Sequence, residues 1–69
     1  MENSYQPSLQ IRLLRRPEVE AVTGLKRSTI YARIKMGTFP APVQLGPKSV
    51  AWKSSDIQSW IEGLPKSNL

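Results

Sequence analysis

Neither histidine nor cysteine occurs in this chain of 69 residues. Without cysteine there is no disulfide and no thiolate metal site. Without histidine the commonest metal ligand and the usual general base at neutral pH are missing too. The five carboxylates and the serines therefore have no ordinary activating partner. No phosphate-binding loop, dinucleotide fingerprint or metal-ligand spacing compensates, so neither an enzyme nor a cofactor is expected. Long hydrophobic runs are also absent: nothing approaches the roughly 20 apolar residues of a membrane span. The N-terminus lacks a basic region followed by an apolar core. A soluble, unprocessed protein is expected, and the lack of cysteine fits a reducing, cytoplasmic setting.

Acidic residues are scarce in one particular place. Between Glu20 and Asp56 there are none, whereas Lys26, Arg27, Arg33, Lys35, Lys48 and Lys53 all fall in that interval. The formal net charge is +5, and its confinement to one segment points to a polyanionic partner. Glu18, Glu20 and Asp56 stand where helix N-termini are expected, and negative charge there favours the helix dipole. At this length there is room for one domain with a small core.

Taken in order, residues 1–10 are polar and aperiodic and are expected to form a flexible arm; residues 11–64 form the domain and residues 65–69 a tail. Ile11 to Arg15 can form a short extended segment, with Leu14 closing onto the core. Pro17 suits the first position of a helix, in which Val19 and Val22 share an inward face. Gly24 can take the left-handed conformation of a C-cap, and Leu25 then plugs the gap to a second helix. That helix spans about residues 27–36, turns Ile30 and Ile34 inward, and stops at Gly37. At 100° per residue, Ser28, Ala32 and Lys35 lie opposite the isoleucines, with Arg27 and Tyr31 on one flank and Thr29 and Arg33 on the other.

Pro40 and Pro42 forbid helix in the next stretch. Val43-Gln44-Leu45 and Ser49-Val50-Ala51-Trp52 alternate around Gly46-Pro47, a hairpin signal with Lys48 near its tip. Ser54 or Ser55 is expected to cap a third helix, Ser55 and Gln58 matching a capping box. Ile57, Trp60, Ile61 and Leu64 follow as an apolar stripe. Trp52, Trp60 and Phe39 are assigned to the core, whereas Tyr31 lies off the inward face and is placed to touch a sugar or phosphate.

Two helices joined by a short glycine turn and followed by a hairpin outline a winged helix-turn-helix: mainly α, three helices plus a wing. Its second helix would enter the major groove. The residues expected to face double-stranded DNA are Lys26, Arg27, Ser28, Thr29, Tyr31, Ala32, Arg33 and Lys35 from this helix, with Lys48 and Ser49 from the wing. Arg27 could read guanine bidentately or grip a phosphate, and Arg33 could reach a flanking phosphate.

The ordered set Leu14-Arg15-Arg16-Pro17-Glu18-Val19, Thr23-Gly24-Leu25-Lys26-Arg27-Ser28-Thr29-Ile30-Tyr31, Gly37-Thr38-Phe39-Pro40-Ala41-Pro42-Val43, Val50-Ala51-Trp52 and Asp56-Ile57-Gln58-Ser59-Trp60-Ile61 resembles the AlpA family. The resemblance covers roughly residues 12–62. It implies a small phage- or prophage-encoded transcriptional regulator of the bacterial cytoplasm with a MerR-like winged fold related to excisionases. Two positions depart from the pattern: Lys26 stands where members often carry the Ser that caps the recognition helix, and Asp56 where Glu is common. Without that cap the recognition helix is expected to begin at Arg27 or Ser28.

By analogy, such a protein controls integrase or excision genes of its element. RNA polymerase, an integrase or further copies of itself on DNA are then its protein partners. An alternative within DNA binding is an excisionase that bends attachment-site DNA. An alternative of another class is a small protein-protein interaction adaptor using the apolar face of the third helix. No small-molecule ligand is expected, since nothing resembles an effector domain.

Overall fold

A computed structural model describes residues 11–68; the arm expected over residues 1–10 lies outside the described residues. The elements are β1 (Leu13–Leu14), α1 (Arg16–Thr23), α2 (Arg27–Met36), β2 (Val43–Gly46), β3 (Ser49–Lys53) and α3 (Ser54–Glu62). They form a winged helix-turn-helix with a three-stranded antiparallel sheet in the order β1-β3-β2. Residues 64–68 carry no regular secondary structure.

The helix-turn-helix is set by two glycines and one threonine. Gly24 closes α1 at φ 75° and Gly37 closes α2 at φ 80°. Both lie in the left-handed region that side chains with a Cβ rarely adopt. The Thr23 hydroxyl donates to the Val19 carbonyl at 2.7 Å and accepts the Leu25 N–H at 3.2 Å. One side chain thus ends α1 and holds Leu25, the middle residue of the bridge. α1 begins one residue earlier than Pro17 suggested, with Arg15 as N-cap and Pro17 still inside the first turn, where its missing donor costs nothing.

The wing is a hairpin with a two-residue turn, Pro47 and Lys48. Val43 pairs with Ala51 and Gln44 with Val50, but Gly46 pairs with Ser49, so Leu45 is an extra residue that bulges from β2. Beyond the hairpin, the short segment at Leu13–Leu14 becomes a third strand: Leu13 pairs with Lys53 and Leu14 with Trp52. Ser54 completes this junction. Its N–H donates to the Arg12 carbonyl at 2.7 Å, and its hydroxyl accepts the Arg12 N–H at 2.8 Å.

That use of Ser54 corrects the expected helix cap. α3 starts at Ser54 with Lys53 as N-cap, and no side chain caps it. The Ser55–Gln58 box does not form; Gln58 donates instead to Glu62. The strand claims the serine because its pairing satisfies two backbone groups at once.

Leu14, Val19, Ile30, Phe39, Trp52 and Ile57 form the core, with Leu25, Ile34, Val50 and Trp60 packed against it. Both indoles are pinned to the same loop: Trp52 Nε1 donates to the Pro40 carbonyl and Trp60 Nε1 to the Thr38 carbonyl, each at 2.9 Å. Phe39, between those two carbonyls, packs edge-on against Trp60 at 4.8 Å between centroids. The inward placement of Val22, Ile61 and Leu64 is overturned: they are 54%, 40% and 49% exposed. α1 is only eight residues long, so α1 and α3 leave an open apolar groove lined by Leu14, Val22, Ile57 and Ile61. Periodicity marks a helix face; it does not supply a neighbour long enough to cover it.

Candidate nucleic-acid interface

α2 starts at Arg27, with Lys26 as an extended N-cap that offers no side-chain bond to the helix. The first helical bond is from the Ile30 N–H to the Lys26 carbonyl, at 2.9 Å. The N–H groups of Arg27, Ser28 and Thr29 are therefore left pointing out of the helix start, a partly positive end suited to an oxyanion. Burying Ile30 and half-burying Ile34 fixes the rotation of the helix. Ser28, Ala32 and Lys35 consequently face solvent, while Thr29 and Arg33 are half-buried on the flank.

Tyr31 is 39% exposed and occupies the boundary between surface and core. Its ring leans on Trp52 at 6.4 Å between centroids, tilted by 57°. The Arg27 guanidinium lies over the same ring, 6.0 Å from its centroid, within range of a cation-π attraction. Tyr31 thus links the buried indole to an exposed cation. Its packing on Trp52 adds a structural part to the surface role expected of it.

A cleft of about 280 Å³ opens where the start of α1, the start of α2 and the turn end of the wing converge. Arg15, Arg16, Arg27, Tyr31 and Lys48 line it, together with Pro17 and Val50. Among the described residues, no carboxylate lines it. Of the expected site residues, the structure brings Arg27, Tyr31 and Lys48 together here. Ser49 adjoins it, its hydroxyl accepting from Arg15 Nη1 at 3.2 Å. Lys26, Ser28, Ala32 and Lys35 lie on the neighbouring exposed surface of α2 and its cap, outside the cleft, and so do the half-buried Thr29 and Arg33.

Arg15 and Arg16 were not among the expected site residues. Both precede the acid-free segment and sit beside Glu18 and Glu20, so local sequence gives them no distinction. What brings them to the wing is the pairing of β1 with β3, a contact across some forty residues that no local pattern announces. The acids then sort the arginines. Arg12 pairs with Glu18 at 3.1 Å and Arg16 with Glu20 at 2.9 Å, whereas Arg15, Arg27 and Lys48 have no acidic partner among the described residues. Three uncompensated cations therefore share one cleft.

Among the described residues, no helix is long and apolar enough to cross a membrane, and no group of His, Cys, Asp or Glu is placed to hold a metal ion.

Comparison with known proteins bears on the same segment. The family described as prophage CP4-57 regulatory protein (AlpA) matches residues 12–64. The uncharacterized protein ORF88 of Enterobacteria phage P4 is 52% identical over 54 residues, which cover 78% of this chain and 61% of that protein. This chain thus accounts for less than two thirds of that relative's length. The DNA-binding transcriptional activator AlpA of Escherichia coli (strain K12) is 39% identical over 57 residues, covering 74% of this chain and 81% of that protein.

Proposed function

The chain belongs to the AlpA family of prophage regulatory proteins, and on that premise we propose that it is a sequence-specific DNA-binding transcriptional regulator of a prophage or related mobile element, controlling integrase or excision genes. The observation that carries this reading is the convergence of the recognition-helix start and the wing on one cationic cleft without a carboxylate in its lining. In the proposed complex, residues 11–64 are the binding unit. The exposed side chains of α2, Ser28, Ala32 and Lys35, meet base edges in the major groove, where all four base pairs can be told apart. Lys26, Thr29, Arg33, Lys48 and Ser49 surround that contact and hold the sugar-phosphate backbone.

A single module of this size buries about 600–1,000 Å² on DNA. High specificity therefore calls for two or more copies on neighbouring sites. RNA polymerase or an integrase would then be recruited by the bound array. No chemical step on the DNA is part of the proposal.

Footprinting on DNA from the element that encodes the chain, paired with a transcriptional reporter for the adjacent integrase gene, tests this reading. Protection of a defined site, at protein concentrations that leave random DNA unprotected, with a change in reporter output, is the expected result. Equal, weak binding to every sequence would contradict it. A footprint with strong DNA bending and no reporter response would assign the binding to recombination instead.

A further inference from the structure

The cationic cleft is more than an extension of a basic surface, because its charges are selected. Six basic residues other than Arg15 and Arg16 lie between Glu20 and Asp56, yet only Arg27 and Lys48 of these reach the cleft. The two arginines nearest Arg15 in sequence are neutralised by acids of α1. Arg15 alone among them is left uncompensated, and it is turned toward the wing, where the Ser49 hydroxyl fixes one of its nitrogens. Arg27 is steadied by the ring of Tyr31. Lys48, at the two-residue turn of the wing, makes no hydrogen bond or ion pair among the described residues.

Like charges gathered this way repel one another, so an anion in the cleft relieves a cost the free protein carries. The cleft volume of about 280 Å³ admits one phosphodiester group. The Tyr31 hydroxyl, without a partner among the described residues, is a further donor on its wall. We infer that this cleft seats a single backbone phosphate of the DNA, gripped jointly by Arg15, Arg27 and Lys48. The inference rests on the DNA-binding reading above and deepens it in two ways. It gives Arg15, which starts outside the helix-turn-helix, a direct contact. It also assigns Arg27 to the backbone rather than to guanine, so sequence is read by the outward face of α2 farther along the helix. The shared phosphate would tie the wing to the recognition helix and fix their common register on the duplex.

The test combines Arg15→Gln, Arg27→Gln and Lys48→Gln with duplexes of the footprinted site in which one phosphate at a time is replaced by an uncharged methylphosphonate. One replacement is expected to weaken wild-type binding and to lower the slope of log affinity against log salt by about 1. Each variant should weaken binding to the unmodified site about tenfold, the cost of one charged contact, while losing much less on that one modified duplex, because contact and phosphate form a coupled pair. Affinity for random DNA should fall by the same factor, leaving the specificity ratio unchanged. Lys48→Gln removes no bond within the protein, so its result is free of folding effects. Variants mapping to different phosphates, or Arg27→Gln altering the preferred base at one position, would overturn the joint seat while leaving DNA binding intact. Failure of the wild-type chain to bind DNA at all would instead overturn the reading on which it rests.

Discussion

The cationic cleft and the tryptophan-pinned core lie back to back, separated by little more than the ring of Tyr31, and they answer to opposite demands. In the core every large side chain is covered, and the two indole N–H groups are satisfied by carbonyls of one loop. In the cleft three cations stand without acidic partners among the described residues, where the one hydrogen bond they make is from Arg15 to Ser49. Burial of apolar area drives the first arrangement, whereas the second is held together against its own repulsion. The difference implies that stability and ligand binding reside in separate residues. Substitutions on one side should leave the other property nearly untouched.

The largest effect is expected where the core is deepest. Trp52 is fully buried, backs both the sheet and Tyr31, and ties the wing to the loop. Trp52→Ala should cost about 3–5 kcal/mol, and in a domain this small thermal melting should show it largely unfolded at room temperature. Trp60→Phe keeps an aromatic ring against Phe39 but deletes the bond to the Thr38 carbonyl. It should lower stability by about 1 kcal/mol, readable in chemical denaturation. Lys26→Ser supplies the cap that α2 lacks, and the gain should be about 0.5–1 kcal/mol. Because Lys26 flanks the cleft, a small loss of DNA affinity should accompany that gain. Tyr31→Phe has the smallest effect on stability, within about 0.5 kcal/mol, since the ring still leans on Trp52. A drop in DNA affinity without a shift in melting would then isolate the hydroxyl.

Much of this division can be read in the chain, because the relevant signals are local. Gly24 ends α1 and Gly37 ends α2 at Met36 as expected, since a left-handed residue ends a helix whatever surrounds it. The hairpin follows likewise from alternation around Gly46-Pro47. Phe39, Trp52 and Ile57 are buried as their patterns imply. What escaped is non-local. The pairing of Leu13–Leu14 with β3 depends on two backbone stretches meeting in space, and it alone carries Arg15 to the wing. Ser54 looked like a helix cap and serves as a clip for Arg12; the hydroxyl had two possible uses, and tertiary pairing decided between them. Val22 and Ile61 mark apolar faces correctly but line an open groove, because the extent of burial is a property of the neighbour.

For the site, the acid-free segment identified the charged surface but not its focus. Ten expected contact residues spread along α2 and the wing, whereas the structure gathers three of them into one cleft with two arginines from the start of α1. Arg16 and Arg15 each have an acid one helical turn away, but Arg16 pairs with Glu20, whereas Glu18 is taken by Arg12 and Arg15 turns to Ser49 instead.

The measurement that tests the separation most directly is a single preparation of the Arg15→Gln, Arg27→Gln, Lys48→Gln triple variant, examined for melting temperature and for affinity to the footprinted DNA. Relieving the crowded charge should leave the melting temperature unchanged or slightly raised, while DNA affinity falls at least tenfold. A variant that melts well below the wild type, or that binds DNA as tightly as before, would contradict the account.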